Sequence, residues 1–217
     1  EQIMSVSRNE RALVVLSQLT QGVPRDFQWL YRFIESSGRS TASSILGDDY
    51  AEYVQLLDGQ ATKKKFVARL KALGAKHGIK AIDVIVMLHG SPNSLVFTDG
   101  AFNTRELGDE IAALGLKSKL RMLYSTACFG ASHADDFVRA GFSSAIGSVA
   151  VNTNAAVEFP PFLTLWALGW QLKDALSIAE TPATRLPADQ AARVFAELNH
   201  LGWANDVNSD KVLIGAQ

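Results

Sequence analysis

Short apolar runs alternate along this chain with segments whose apolar residues recur at helical spacing. The clearest run, Ile82 to Leu88, is almost continuously apolar, which is typical of a parallel strand covered on both faces. Strands separated by helical segments imply βαβ crossovers, so the pattern predicts a three-layer α/β fold around a mostly parallel, doubly wound sheet. The other segments with strand character are Ala12 to Leu19, Tyr53 to Leu57, Leu120 to Ser125, Ser144 to Gly147 and Val212 to Ile214.

Length and composition fit one globular domain over residues 1–217. Of the 217 residues, 47% are hydrophobic and 20% are charged, as in folded soluble proteins, and no linker or repeat divides the chain. A formal net charge of −1, with one short basic run from Lys63 to Lys65, argues against nucleic-acid binding. No apolar segment approaches the roughly 18 residues that cross a bilayer, so we expect no membrane insertion.

Cysteine usage narrows the chemistry. The single cysteine, Cys128, allows no intramolecular disulfide and no zinc site built from cysteines, so the fold must rest on its core. The chain begins Glu1-Gln2-Ile3-Met4, and a leader removed before this point is one explanation. We therefore expect a soluble protein, either cytoplasmic or exported after removal of a leader; the sequence assigns no oligomeric state.

Local signals predict helices and one hairpin between the strands. Apolar residues at helical spacing predict a helix over Arg25 to Ser36, and Thr62 has the features of an N-cap for the next helix. The dipeptide Asp99-Gly100 lies at the centre of a predicted hairpin. Pro160-Pro161 is expected to begin the longest helix, whose buried stripe would continue to Ala179.

Two residues suited to catalysis directly follow predicted strands. His89 follows the run Ile82 to Leu88, and Cys128, 39 positions later, follows the run Leu120 to Ser125 and precedes a helix. The carboxyl ends of parallel strands form the ligand-binding edge of such sheets. A catalytic cysteine needs a base or a helix N-terminus beside it, because an ordinary thiol is mostly protonated near neutrality. If the two strands are neighbours, about 4.8 Å apart, His89 and Cys128 can form a dyad.

Gly90 and Cys128 also offer the backbone donors that acyl transfer requires. A developing oxyanion needs N–H groups that are free to bind it, and a residue without a side chain lets a carbonyl group approach closely. We therefore predict an oxyanion hole formed by the N–H groups of Gly90 and Cys128, with the small residues Ala127 and Gly130 nearby.

Two motifs carry the residues predicted for acyl transfer. In the first, an apolar strand is followed by His89-Gly90, and in the second, a later apolar strand is followed by Ala127-Cys128. Their pattern resembles the caspase-like cysteine peptidases of clan CD, which include caspases, metacaspases, legumain, gingipains and clostripain. Residues 58–63, 95–107 and 140–148 look like the bacterial branch, with its caspase, gingipain and CHAT-type proteins. The resemblance covers roughly residues 50–180.

The resemblance implies a caspase-like fold and endopeptidase activity on a peptide or protein substrate. It implies Cys128 as the nucleophile, His89 as general base or acid, and a thioester acyl-enzyme that water hydrolyses. It implies no metal and no organic cofactor. In the family, the residues after the next strand line the pocket for the substrate side chain that precedes the scissile bond, which here implies Ser148, Val149 and Asn152.

Other interpretations remain open on the residues alone. A catalytically silent caspase-fold module that binds a protein partner would have a similar pattern. His133, Asp135 and Asp136 form a local cluster that could hold a metal, although acidic residues also favour a helix N-terminus. Three further carboxylates could either bind a basic substrate side chain or be solvated in loops: Asp99, Glu158 and Asp206.

Overall fold

The computed structural model describes residues 6–216. Within them the strands are β1 (Arg11–Gln18), β2 (Glu52–Leu57), β3 (Ala81–Ser91), β4 (Ser94–Phe97), β5 (Gly100–Asn103), β6 (Leu120–Ser125), β7 (Ser144–Ser148) and β8 (Lys211–Gly215). The α-helices are α1 (Gln28–Leu46), α2 (Lys63–Gly74), α3 (Thr104–Ala112), α4 (Gly130–Ala140), α5 (Ala155–Ala167), α6 (Leu172–Ala179) and α7 (Pro182–Leu198). None of these helices combines the length and the apolar character needed to cross a membrane.

The central sheet has the strand order β2-β1-β3-β6-β7-β8. Its first five strands run parallel, and β8 pairs with β7 in the antiparallel sense at one edge. Strands β4 and β5 form a hairpin that extends from the end of β3. The predicted α/β fold with a mostly parallel sheet is therefore confirmed.

Alternate residues of the strands pack against different helices, and this alternation creates the two outer layers. Val14 and Leu16 of β1 belong to a core cluster that α2, α3 and α4 complete. Leu13 and Val15 belong to the opposite cluster, which α1, α5 and α6 complete. Because both faces of the sheet are covered, central strands need apolar residues at nearly every position, which explains the continuous apolar run in β3.

Two of the predicted local signals are confirmed. The Thr62 side chain accepts a hydrogen bond from the N–H of Lys65, 3.1 Å away, and caps α2. The dipeptide Asp99-Gly100 lies at the turn of the β4–β5 hairpin. The carboxylate of Asp99 also accepts a hydrogen bond from the N–H of Lys63 at 2.9 Å, so the hairpin is tied to the start of α2.

The prediction that Pro160-Pro161 begins the longest helix is wrong. Helix α5 begins five residues earlier, at Ala155, and contains both prolines. Gly169 then takes a left-handed φ of +86° between α5 and α6, so the stripe belongs to two helices. Both helices pack against the same core cluster, and their apolar spacing therefore continues across a break that the pattern does not reveal. Of the described helices, α1 is the longest, with 19 residues.

Candidate active site

The register of β3 and β6 brings two predicted catalytic residues to one edge of the sheet. The strands are parallel neighbours, and Val86 lies opposite Ser125. His89 is three positions beyond Val86, and Cys128 is three positions beyond Ser125, so both lie beyond the paired segments of β3 and β6. The predicted strand end at Leu88 is too early, because β3 continues to Ser91 and pairs His89 with Val96 of β4. The condition that the sequence set for a dyad, that the two strands be neighbours, is met.

His89 is half-buried and is held by two contacts. Its Nε2 atom lies 2.7 Å from the carbonyl oxygen of Leu19, just beyond the end of β1. Because a carbonyl oxygen only accepts, Nε2 carries the proton in this bond, and Nδ1 is the basic nitrogen of the neutral ring. The Tyr31 ring packs against the imidazole with 5.3 Å between centroids and 55° between planes. The bond to Leu19 sets the tautomer, and the two contacts together set the orientation of the imidazole ring.

Tyr31 of α1 lies beside Cys128 as well as His89. Burial raises the pKa of its phenol, and repulsion from Cys128 in its ionised form raises that pKa further. One side chain therefore borders both members of the candidate dyad. Helical spacing alone predicts only a packing position for Tyr31, so the sequence holds no signal for this role.

Cys128 lies in the tight connection between β6 and α4, residues 126–129, which we call the cysteine loop. Phe129 takes a left-handed backbone conformation with a φ of +58°, which turns the chain from strand to helix. The last residue of β7 and the segment after it contact the loop at three points. Asn152 Nδ2 donates to the Thr126 carbonyl at 2.9 Å, Ser148 Oγ donates to the Ala127 carbonyl at 3.1 Å, and the Phe129 N–H donates to the Ala150 carbonyl at 2.8 Å. The position of the thiol is thus set by residues 148–152.

Three glycines allow backbone segments to meet around the cysteine loop. A Cβ atom at Gly130 would lie 2.8 Å from Cα of Gly147, and a Cβ atom at Gly147 would lie 2.6 Å from Cα of Gly130. A Cβ atom at Gly90 would collide with the carbonyl oxygen of Cys128 and would lie 3.0 Å from the side chain of Ala127. Strands β3 and β7 and the start of α4 can therefore approach one another only because these positions lack side chains.

Burial raises the pKa of the Cys128 thiol, which is partly accessible to solvent. The backbone N–H groups of Asn152 and of Cys128 itself oppose this shift, and so does the positive charge of Lys211. Because burial has the largest influence, the resting side chain near neutral pH is the protonated thiol. It needs a base before it can act as a nucleophile.

Lys211 is a buried cation near the site. It begins β8, its side chain is fully buried, and its Nζ atom lies 2.9 Å from a carboxylate oxygen of Glu158, which is also fully buried. Glu158 accepts a further hydrogen bond from the hydroxyl of Tyr124. Burial raises the pKa of the nearby Glu180 to about 7, and the charge of Lys211 opposes this rise. The sequence offers one weak signal for this network, a lysine directly before the apolar run of the last strand.

The three predicted substrate-binding residues lie next to the cysteine loop, with different exposures. Ser148 is fully buried, and its hydroxyl contacts the Ala127 and Ala150 carbonyl groups. Asn152 uses its amide nitrogen on the loop, and its amide oxygen accepts from the N–H of Asn154 at 3.2 Å. Val149 is 42% exposed. Ser148 and Asn152 thus shape the loop, and Val149 has the side chain that solvent reaches.

His133 lies beneath the connection between β3 and β4. It is fully buried, and its Nε2 atom lies 2.8 Å from the Ser91 carbonyl oxygen. Burial lowers the pKa of its imidazole. Asp136 accepts a hydrogen bond from the Thr104 hydroxyl at 2.7 Å, and Asp135 is exposed. Across residues 6–216, no three His, Cys, Asp or Glu side chains form a group that could hold a metal ion.

A cavity of about 200 Å³ lies between α1 and α5, and its lining includes neighbours of the candidate dyad but neither His89 nor Cys128. It reaches Leu19, whose carbonyl contacts His89, and Thr126, which is two positions before Cys128. Its lining does not include the three carboxylates that the sequence suggested for binding a basic side chain, which are Asp99, Glu158 and Asp206. Helix packing creates this cavity, so the sequence pattern alone did not indicate it.

Neither a protein-family model nor a curated protein matches the sequence. Solved structures do match, among them a secreted C11 cysteine protease from Bacteroides thetaiotaomicron in complex with an irreversible peptide inhibitor. The TM-score is 0.53 at 10% sequence identity, and the match covers 79% of this chain and 57% of that chain. This chain therefore spans less than two thirds of the length of that protease. At this identity the likeness establishes a shared fold.

Proposed function

We propose that this chain, which has the caspase-like fold, is a cysteine peptidase in which Cys128 attacks the peptide carbonyl and His89 transfers the proton. The observation that most supports this proposal is the pairing of β3 with β6, after which a histidine and the cysteine follow at matching positions. The carboxyl edge of a parallel sheet is also where α/β folds bind their ligands. The fold in common with a cysteine protease that holds a peptide inhibitor supports the same function.

The protonation states at the site favour general-base catalysis. Because burial raises the pKa of the Cys128 thiol, the proton must be removed during the attack. With Nε2 of His89 bonded to the Leu19 carbonyl, Nδ1 is the nitrogen that accepts it. The sulfur then forms a thioester with the carbonyl carbon, and the amine leaves with the proton from His89. Water, deprotonated by His89, hydrolyses the thioester and regenerates the thiol.

The backbone N–H groups of Gly90 and Cys128 are the proposed donors to the oxyanion. The N–H groups of Thr126, Ala127 and Phe129 all have acceptors within the protein. Among the described residues, no backbone carbonyl accepts a hydrogen bond from the Cys128 N–H. This N–H interacts with the thiol of its own residue, so it lies at the reacting sulfur, where the oxyanion would form. One preorganised donor of this kind stabilises the tetrahedral intermediate by roughly 3–4 kcal/mol.

Hydrolysis of a fluorogenic peptide library by the wild type and two variants tests the proposal. We expect Cys128→Ala and His89→Ala to abolish cleavage, because they remove the nucleophile and the base. Circular dichroism should show both variants folded, since each change removes a half-buried side chain rather than a core residue.

His77→Ala is the matched control for the histidine variant. His77 is exposed and lies three residues after the end of α2, so its replacement should leave the rate of cleavage unchanged. Cleavage by Cys128→Ala at the wild-type rate would exclude Cys128 as the nucleophile.

One observation favours the alternative function, a catalytically silent module that binds a protein partner. Trp29 and Phe33 on α1 are 67% and 62% exposed, and Phe33 borders the cavity next to the site. Large apolar side chains at a surface often mark a binding site. The alternative predicts that no peptide in the library is cleaved and that Cys128 resists alkylation by iodoacetamide at neutral pH.

A further inference from the structure

We propose that the cavity between α1 and α5 binds the substrate side chain that precedes the scissile bond, and that it selects an apolar side chain of the size of leucine, methionine or phenylalanine. This inference rests on the proposed peptidase function. It adds the substrate class, which the fold and the candidate dyad leave open. It also places the pocket at the cavity rather than at Ser148, Val149 and Asn152, which the resemblance implies and which do not line it.

The position of the cavity supports this assignment. Side chains alternate along β3 and β6, and Met87 and Tyr124 face the core cluster on the α1 and α5 side of the sheet. His89 and Thr126 follow them at two-residue spacing, so they belong to the same side. The cavity is lined by Met87 and Thr126 on this side. A substrate whose carbonyl reaches Cys128 can therefore extend the adjacent side chain into the cavity.

The lining of the cavity is mostly apolar. Its polar side chains are hydroxyls, from Ser37, Thr41 and Thr126, and no charged side chain lines it. The larger apolar side chains around it are Leu19, Phe33, Ile34, Met87, Phe159 and Pro160. An uncompensated charge in such surroundings loses its hydration without gaining a partner, so Arg, Lys, Asp and Glu side chains should be excluded.

Two buried carboxylates, Glu35 and Glu158, are next to lining residues in the sequence, but neither lines the cavity. Glu35 follows Ile34 and accepts a hydrogen bond from the Ser17 hydroxyl at 2.6 Å, on the strand side of α1. Glu158 directly precedes Phe159, which lines the cavity. However, Glu158 is fully buried and is paired with the ammonium group of Lys211 at 2.9 Å. Its second partner is the Tyr124 hydroxyl. Because both of its partners are internal, Glu158 is not available to a basic substrate side chain.

The volume of the cavity suits one side chain of moderate size. At about 200 Å³, it is somewhat larger than the ~150 Å³ apolar cavity that is known to hold benzene in another protein. A phenylalanine or leucine side chain therefore fits, with its backbone left at the mouth of the cavity.

Peptides that differ only in the residue before a fluorogenic leaving group test this inference. With Ac-Ala-Ala-Ala-X-aminomethylcoumarin, we expect kcat/KM to be at least about tenfold higher for X = Leu, Met or Phe than for Arg, Lys or Asp. A difference of this size corresponds to the loss of one well-packed apolar group or more. Equal or higher values for a charged residue would overturn the inference.

A charge placed inside the cavity should change the preference. Thr41→Asp puts a carboxylate in the lining, so we expect it to lower kcat/KM for the Leu peptide and raise it for the Lys and Arg peptides. Ser43→Asp adds the same charge to the same helix at an exposed position outside the cavity and is the matched control. An identical change in preference for both variants would show that the cavity is not the binding pocket.

A second variant at the rim keeps the test valid if Thr41→Asp does not fold. Ala156 is exposed and lines the cavity, so Ala156→Phe should narrow it. Cleavage of the peptide with X = Phe should then fall more than cleavage of a further peptide with X = Ala. Val157→Phe, at the next exposed position outside the lining, should leave their ratio unchanged. A ratio that is also unchanged in Ala156→Phe would overturn the inference.

The outcomes separate the two proposals. Cleavage that depends on Cys128 but favours a charged residue X would overturn the cavity assignment and leave the peptidase function standing. If no peptide of any kind is cleaved and Cys128 is not alkylated, the peptidase function fails, and the assignment of the cavity as a substrate pocket fails with it.

Discussion

Replacement of Gly147 by alanine should lower the stability of this protein and the peptidase activity that we propose for it. The new Cβ atom would collide with the carbonyl carbon and oxygen of Gly130 and would lie 2.6 Å from its Cα atom, whereas ordinary contacts begin at 3.4 Å. The two backbones must therefore separate by more than the 0.8 Å difference between these two distances. Overpacking of this kind costs about 1–3 kcal/mol. For a chain of this size, each kcal/mol lowers Tm by about 2–4 °C, so we expect a Tm about 2–12 °C lower.

The same displacement should reduce catalysis, because Gly130 is two residues from Cys128. Misplacement of a reacting group by about 1 Å can lower the rate about 100-fold. Thermal unfolding followed by circular dichroism measures the first effect, and peptide hydrolysis well below Tm measures the second.

Gly78→Ala is the control for this prediction. A Cβ atom at Gly78 would have no heavy atom within 4 Å, so we expect a change of less than about 0.5 kcal/mol and a Tm within about 2 °C of the wild type. If Gly147→Ala melted as close to the wild type as Gly78→Ala and cleaved peptides at the same rate, the argument from close backbone approach would be wrong.

Two further predictions concern buried charges away from the dyad. Arg121→Met leaves the fully buried carboxylate of Asp83 without the guanidinium group that pairs with it. Urea unfolding should therefore show a free energy of unfolding about 3–5 kcal/mol lower, and adding Asp83→Asn should recover part of this loss. Equal free energies of unfolding for Arg121→Met and the wild type would refute this prediction. The raised pKa of Glu180, about 7 against an ordinary 4.5, means that the folded state binds this proton more tightly than the unfolded state. The stability that this tighter proton binding gives the folded state is therefore complete below pH 4.5 and is lost as the pH rises through 7. The free energy of unfolding of Glu180→Gln should match the wild type near pH 4.5 and exceed it at pH 8, and a constant difference across this range would contradict the assignment.

The order of strands and helices follows closely from the sequence, because strands covered on both faces have a distinctive composition. The run Leu120 to Ser125 predicts β6 with its observed bounds. Helix α1 shows the limit of this approach. Its second half is rich in Ser, Thr and Gly, which have low helix propensity, so the pattern predicts an end near Ser36. The helix continues to Leu46 because Ala42 and Leu46 are buried in the core, and tertiary packing outweighs local propensity.

The sequence predicts the two members of the candidate dyad and gives no signal for the neighbours that other elements supply. His89 and Cys128 stand out in the sequence because strand ends in parallel sheets converge at one edge; their catalytic roles remain predictions. Tyr31, Lys211 and the cavity depend on how α1, α5 and β8 pack against the sheet, and local sequence does not record this packing. The assignment to the bacterial branch of the family remains a prediction from the resemblance.

The hydrogen bonds around the cysteine loop have a consequence for the order of events during synthesis. The loop is held through Ala150, and residues 149–151 are held in turn by backbone bonds with Asp206, Asn208 and Asp210. Asn208 leaves the ribosome 80 residues after Cys128, a delay of about 4–16 s at 5–20 residues per second. We therefore expect the nascent chain to carry its cysteine for seconds before the surroundings of the thiol are complete. The peptidase function that we propose would accordingly be absent from the nascent chain during this interval.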